Sequence, residues 1–244
     1  MTVRVSKPVF NLREKLSELD KPIGLKGSEL MRSDTVQDAR NLIGVGRKNI
    51  LINGDFRIAQ RATTNDTAGA QSTYHTLDRW MTQIQAGTIT ESQQSLSSSD
   101  TGPWGEGFRK YMRILNQSGI GAGAAQYAEI DQRIEARVLA NSGWDYTSGS
   151  SYITLSFWIR ASVAQNYIVN MYANNGTNRH FPFEVPLNAN IWTKVTKSIP
   201  GYSGITITND TGNGATIAFI AAYGTNYTST SGYFDTWNTT GGGT

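Results

Sequence analysis

The chain has 244 residues, 38% of them hydrophobic and 17% charged, with no cysteine and two histidines, His75 and His180. Without thiols there is no disulfide framework and no thiolate metal site, and two histidines so far apart in sequence are a poor basis for an imidazole site. No apolar run approaches the ~20 residues a membrane span needs, and Met1-Thr2-Val3-Arg4 lacks the apolar core of a signal peptide, so the expectation is a protein made in a cytoplasm, without membrane insertion.

The net charge of +3 is unevenly placed. Residues 1–48 carry ten Lys/Arg and six Asp/Glu, whereas residues 49–244 carry twelve and thirteen. The basic excess belongs to an N-terminal arm, and the remainder is close to neutral. A neutral surface rich in Thr, Asn and Gly argues against a nucleic-acid partner, which demands clustered cations. It suits a polyhydroxylated ligand or a protein neighbour.

In the arm, residues 1–48, Val9, Leu12, Leu16, Leu19 and Ile23 fall at spacings of three and four, an a/d seam for docking or oligomerisation. Asn11 and Glu14 form a capping pair, and Lys21-Pro22 ends the helix after about three turns. Two readings stand: a short amphipathic helix laid on a neighbour, or a short oligomeric stalk. A second helix is expected from Ser33-Asp34-Thr35 to Ile43, stopped at Gly44. Gly44-Val45-Gly46 is no dinucleotide fingerprint, because no strand precedes it.

Residues 49–244 read as strands. Ile50-Leu51-Ile52, then Asn53-Gly54-Asp55-Phe56, then Arg57 to Arg61 predicts strand, tight turn, strand. Alternation over 78–85 places Trp80, Thr82 and Ile84 together, and over 108–115 sets Met112 and Ile114 against Tyr111 and its neighbours. Residues 126–134 alternate as a strand and 135–140 are helix-prone. In 152–160, Ile153, Leu155, Phe157 and Ile159 point inward while Thr154, Ser156, Trp158 and Arg160 point outward. Shorter strands are expected at 167–172, 191–197 and 205–208. The run 215–223, apolar on both faces, reads as a central strand. Eight or nine closely spaced strands predict a mainly β chain, a jelly-roll β-sandwich preceded by a short α-helical arm.

The ordered set Asn53-Gly54-Asp55-Phe56, Gln60-Arg61 and Leu77-Asp78-Arg79-Trp80 resembles the opening of a domain common in tail-fibre and related virion proteins of bacteriophages, many of them marine. Gln132-Arg133-Ile134-Glu135, Leu155-Ser156-Phe157-Trp158-Ile159 and Trp192-Thr193-Lys194 with Ile199-Pro200-Gly201 are similar too. Ser33 to Gly46 resembles the helical connector that precedes distal domains of such fibres. The resemblance implies a jelly roll of the carbohydrate-binding-module type, carried on a virion assembled in the host cytoplasm. It implies homotrimers, a tail adaptor or nozzle among the virion partners, and a host cell-surface polysaccharide as ligand. No cofactor is expected. Some similar modules hold a structural calcium ion near the first strand, where Asn53 and Asp55 serve either the ion or the turn. Family domains usually close with a further apolar strand, so this fold is expected to be incomplete at its C-terminus and completed by more chain or by a neighbour.

Chemistry offers two candidate sets. Glu129 and Asp131 share a strand face, as glycoside hydrolysis requires, but Arg133 and Arg137 interleave with them, and an ion-pair ladder without catalysis is the expectation. For a sugar, flat rings stack on C–H faces and amides bond hydroxyls. Trp158 is the leading glycan contact, or else packs under a loop, a helix or another subunit. Tyr172, Tyr111, Asn170 and Arg179 follow, while Trp80 and Trp192 belong to the core. The sequence thus points to a non-enzymatic virion protein, a tail fibre recognising host glycans or spacing an appendage. A head decoration or knob protein and a glycan depolymerase are the alternatives.

Overall fold

The computed structural model describes residues 29–35, 39, 42, 49–120, 123–228 and 233–239. The chain divides into two compact units, Met1–Asn49 and Ile50–Thr244. In the first, Ala39 and Leu42 are helical, and the Ala39 N–H reaches the Thr35 carbonyl at 3.1 Å. The seam Val9, Leu12, Leu16, Leu19 and Ile23 lies outside the described residues.

The second unit is mainly β. Its elements are β1 (Thr64–Ala68), β2 (Gln71–Thr73), β3 (Met81–Ile84), β4 (Thr88–Ser95), β5 (Lys110–Ser118), β6 (Tyr127–Glu135), helix α1 (Ala136–Ala140), β7 (Tyr152–Ile159), β8 (Gln165–Ala173), β9 (Arg179–Leu187), β10 (Thr193–Pro200) and β11 (Asn213–Tyr223). They form a six-stranded sheet in the order β2-β3-β6-β11-β8-β9, a three-stranded sheet β1-β4-β5 and a two-stranded sheet β10-β7. Every pairing between named strands is antiparallel. The run at 215–223 is central, as its apolar character on both faces requires: β11 lies between β6 and β8.

One face of the broad sheet is the core face. Cross-strand partners share a face, so Ile134, Ala215 and Ala173 line up, as do Ile217 with Met171 and Phe219 with Val169. Against them pack Leu155 of β7 and Ile199 of β10, with Ile153, Phe157 and Val195 partly buried beside them. The alternation of 152–160 therefore reads correctly. A smaller cluster joins Ile84, Ile89 and Ala128 with Ile114 and Ala222, which sets β4 and β5 over the other half of the sheet. The result is an antiparallel, sandwich-like stack whose second layer is made of two pieces. Each large apolar side chain fully buried there contributes about 1.5–3 kcal/mol relative to an exposed one.

Three sequence expectations are corrected. First, Ile50 to Arg61 forms no hairpin; it is a turn-rich loop with no strand within it. Its pairing comes from side chains. The Gln132 amide accepts from the Ile52 N–H at 2.7 Å and donates to the Ile52 carbonyl at 2.8 Å, as a neighbouring strand would. Asn53, at φ 54°, donates to the Ile58 and Asp78 carbonyls and accepts from the Ile58 N–H. The Trp80 indole donates to the Asn53 carbonyl at 3.0 Å. Asp78 accepts from the Gln60 N–H and from Arg61. The three short motifs Asn-Gly-Asp-Phe, Gln-Arg and Asp-Arg-Trp are thus one spatial knot. Asp55 pairs with Arg57 at 2.9 Å, so it and Asn53 are both occupied in and beside the turn.

Second, Trp80 is core at 3% exposure, but Trp192 is only partly buried and lies on the outer face of the β10-β7 pair, for reasons given below. Third, residues 205–208 form an isolated bridge from Thr206 to Asn175 rather than a strand. Strand β9 went unread because Pro182 and Pro186 interrupt it. Among the described residues its only strand partner is β8, and the far side carries the His180–Asn238 bridge and an Asp235 N–H bond to the Pro182 carbonyl; at such an edge the missing N–H groups are tolerated.

Candidate functional site

The outer face of the six-stranded sheet concentrates the polar chemistry. Register puts Tyr127, Glu129, Asp131 and Arg133 of β6 on this face, with Thr216, Ala218 and Ile220 of β11 and Asn170 and Tyr172 of β8. A bulge between Ile220 and Ala222 shifts the phase of β11 and brings Tyr223 opposite Tyr127. Ala218, fully buried, is flanked by Asp131 on one side and Asn170 on the other.

Over this floor the side chains interlock. The Tyr223 hydroxyl lies 2.6 Å from Glu129 Oε2 and 2.6 Å from the Tyr172 hydroxyl. The Tyr172 hydroxyl reaches the same carboxylate oxygen at 3.5 Å. Gln83 Nε2 donates to both acids, at 3.0 Å to Glu129 and 3.1 Å to Asp131. At the rim, Tyr227 packs on Tyr127 and Tyr223 with centroids 5.3 and 5.6 Å away. His180 meets the Tyr172 ring edge-on at 4.8 Å.

Asp131 and Asn170 are each 1% exposed, yet Asp131 Oδ1 and Asn170 Oδ1 have no hydrogen-bond partner among the described residues. Buried acceptors without donors are costly, and at 1% exposure these two belong to the covered floor of the face, beneath a rim where Tyr227 is 41% exposed. Burial pushes the Asp131 carboxyl up to about 7, helped by the charge of Glu129 and opposed by Arg133 and Gln83. Burial also raises Glu129, against the pull of the Tyr223 and Tyr172 hydroxyls. Tyr172 and Tyr223 are raised by the same desolvation, and His180 is lowered by it and stays neutral near pH 7. The expected ion-pair ladder is therefore confined to its far end, where Arg137 contacts Glu135. Glu129 and Asp131 are held by tyrosines and an amide instead.

The five glycan candidates separate. Tyr172 and Asn170 belong to this outer face. Arg179, at the end of β9, donates to the Gly204 carbonyl and lies over the Tyr202 ring. Trp158 and Tyr111 are elsewhere, on the outside of the second layer, and Trp158 sits under a loop, one of its two sequence readings. The loop between β4 and β5 places Gly102 against the indole so closely that a Cβ there would lie 2.5 Å from the ring. Tyr111 packs edge-on against Trp192 at 5.3 Å, and Trp104 is covered by Arg109 at 3.8 Å.

Tyr223, Tyr127, Tyr227 and Gln83 were missed. Tyr223 ends an apolar run, and only the bulge, which sequence does not announce, turns it toward Glu129. Among the described residues no cluster of three or more His, Cys, Asp or Glu side chains is arranged to hold a metal, and no helix is long and apolar enough to cross a membrane. Comparison of the chain with protein-family models, with curated proteins and with solved structures gives no match.

Proposed function

We propose that this is a bacteriophage virion protein of the tail-fibre kind, in which the arm over residues 1–48 docks to the tail and a jelly-roll sandwich presents the outer face of its broad sheet to a host-surface polysaccharide. The strand order β3-β6-β11-β8-β9 in one layer, facing β4 and the β10-β7 pair in the other, supports the jelly-roll winding. The observation that carries the ligand is the partly exposed rim of that face, where the Tyr127, Tyr223 and Tyr227 rings stand beside Glu129. Tyrosine faces supply stacking surface for sugar C–H groups, and the rim hydroxyls and carboxylate supply hydrogen bonds to sugar hydroxyls. Homotrimers would multiply weak single sites into useful adhesion.

The test is binding of the full chain to host cells and to a glycan array, with Tyr227→Ala and Tyr223→Phe as variants. Loss of binding with an unchanged thermal transition supports the reading. Absence of binding to any cell or glycan refutes it and leaves a spacer or a head decoration. A second reading, a glycan depolymerase, is favoured by one feature: Glu129 and Asp131 sit together on one Gln83 amide with both carboxyls raised, as a general acid requires. Release of reducing ends from host polysaccharide, abolished in Glu129→Gln, would establish it; no release by the unaltered chain rules it out.

A further inference from the structure

The outer side of the β10-β7 pair carries a repeated unit that the outer face of the broad sheet does not. Trp158 of β7 is opposite Lys194 of β10. One step beyond the last paired residues, Ile159 and Thr193, the same register sets Arg160 beside Trp192, and the Arg160 guanidinium lies 5.0 Å from the Trp192 ring. Tryptophan and cation alternate across the two strands in adjacent rows, about 7 Å apart along the strand.

Each unit holds a carboxylate in the same way. Glu106 accepts from the Trp158 indole at 3.1 Å and from Lys194 at 2.6 Å. Asp100 accepts from the Trp192 indole at 2.9 Å and from Arg160 at 3.4 Å. Both carboxylates come from the one loop between β4 and β5. Both are held below their ordinary range: Asp100 chiefly by the Ser97 N–H and the Trp192 indole, Glu106 by Lys194 and then Trp158. The loop is therefore charged at its two anchor points wherever the protein is near neutrality. Between the anchors, Gly102 lies flat on the Trp158 ring, where any side chain would be excluded, and Tyr111 walls the second unit.

The geometry points to a tandem receptor for carboxylates on Trp158/Lys194 and Trp192/Arg160, occupied in this state by the chain's own Asp100 and Glu106, and suited to an acidic saccharide when the loop is displaced. An indole N–H beside a cation binds a carboxylate, and an indole face beside it stacks on ring C–H groups. A uronic or sialic acid residue offers both on one molecule, and an acidic peptide offers only the first. The Lys194–Glu106 anchor lies at the solvent boundary, its side chains 46% and 40% exposed, where ion pairs bind weakly; the Arg160–Asp100 anchor is more covered, at 35% and 18%. A competing acidic ligand displaces them without opening the core. This site is separate from the tyrosine–carboxylate face of the broad sheet, and neither reading requires the other.

The experiment uses the full chain and a homogalacturonan decasaccharide, with its fully methyl-esterified form as the same sugar without charge. In Asp100→Asn/Glu106→Gln the resident carboxylates are gone and the receptor is kept. Tryptophan fluorescence titration should show the double variant binding the free acid at least tenfold more tightly than the unaltered chain, and the ester not at all. Lys194→Ala/Arg160→Ala added to that background should remove the binding, and Tyr223→Phe should leave it unchanged. No gain in a folded double variant overturns the proposal, as does equal binding of the ester, or binding of poly-glutamate in preference to the saccharide. Should the double variant fail to fold, indole N–H resonances of the unaltered chain at saturating decasaccharide decide: Trp158 and Trp192 must shift, and their failure to move overturns the proposal equally.

Discussion

Replacing Asn53 by Ala tests the side-chain knot directly. Asn53 makes three side-chain hydrogen bonds, to the Ile58 carbonyl at 2.8 Å, to the Asp78 carbonyl at 3.0 Å and from the Ile58 N–H at 3.0 Å. At a net value of about 1 kcal/mol each, their loss costs about 3 kcal/mol. The residue also sits at φ 54°, a left-handed conformation that Ala adopts at a further cost of about 1 kcal/mol. The sum is about 4 kcal/mol. Asn53→Gly loses the same bonds but keeps the conformation at no steric cost, so it should lose about 3 kcal/mol. Urea unfolding followed by tryptophan fluorescence reads this well, because the Trp80 indole is bonded to the Asn53 carbonyl. With a slope of about 2–3 kcal/mol per molar urea, the midpoint of the Ala variant falls by more than about 1 M. A fall below about 0.3 M would show that the knot holds through its backbone and apolar contacts instead, and the reasoning would fail.

Asp131 makes stability depend on pH with a definite sign. Its carboxyl is raised to about 7 when folded, against about 3.9 when unfolded, so the folded state binds the proton more tightly. Stability from this group is full below about pH 4 and is lost as pH rises to about 7, by on the order of 2–4 kcal/mol. Urea midpoints at pH 4.5 and 8 should converge in Asp131→Asn; an unchanged difference would assign the slope to other groups. Gln132→Leu strands the N–H and carbonyl of Ile52, a loss of about 2–4 kcal/mol, and should speed hydrogen exchange of the Ile52 amide; equal exchange would count against the pairing. Gly201→Ala sets a Cβ 2.5, 2.6 and 2.8 Å from the Ser148, Asp145 and Tyr146 carbonyl oxygens. Differential scanning calorimetry should register a loss of about 1–3 kcal/mol, and an unchanged transition would mean that this loop yields freely.

What the sequence made legible was whatever a period of two imposes. Residues 152–160 face as their alternation says, and 126–140 divides into strand and helix at Glu135, where polar alternation gives way to Ala136 and its neighbours. The polar strands β1, β2 and β4 were not legible, since Thr, Ser and Gln alternate without contrast. Fully buried Glu91, for instance, is held by Thr76 and Thr82 hydroxyls, a pairing no local pattern encodes. The hairpin expected at Ile50 to Arg61 failed for a related reason. An apolar run marks burial, and the partner that satisfies its backbone was a glutamine 80 residues away in sequence. At the candidate site, Tyr172 and Asn170 were legible as polar members of a strand. Their relation to Tyr223 depends on one inserted residue in β11. Trp158 and Trp192 were legible as tryptophans but not as a pair, because their carboxylate partners come from a loop about 50 to 90 positions earlier.

The position of β11 has a bearing on how the molecule is made. It is the last named strand to leave the ribosome, yet it is the seam that joins β3-β6 to β8-β9. After Ala173 is synthesised, about 50 further residues must follow before that seam is whole, roughly 3–10 s at about 5–20 residues per second. Throughout that interval β6 and β8 each show an unpaired edge to whatever is nearby, including the same edges on nascent chains of the same polysome. Stalling or truncation before Asn213 therefore yields sticky half-sheets rather than a smaller stable domain, and the broad sheet closes only as a late, near-simultaneous event.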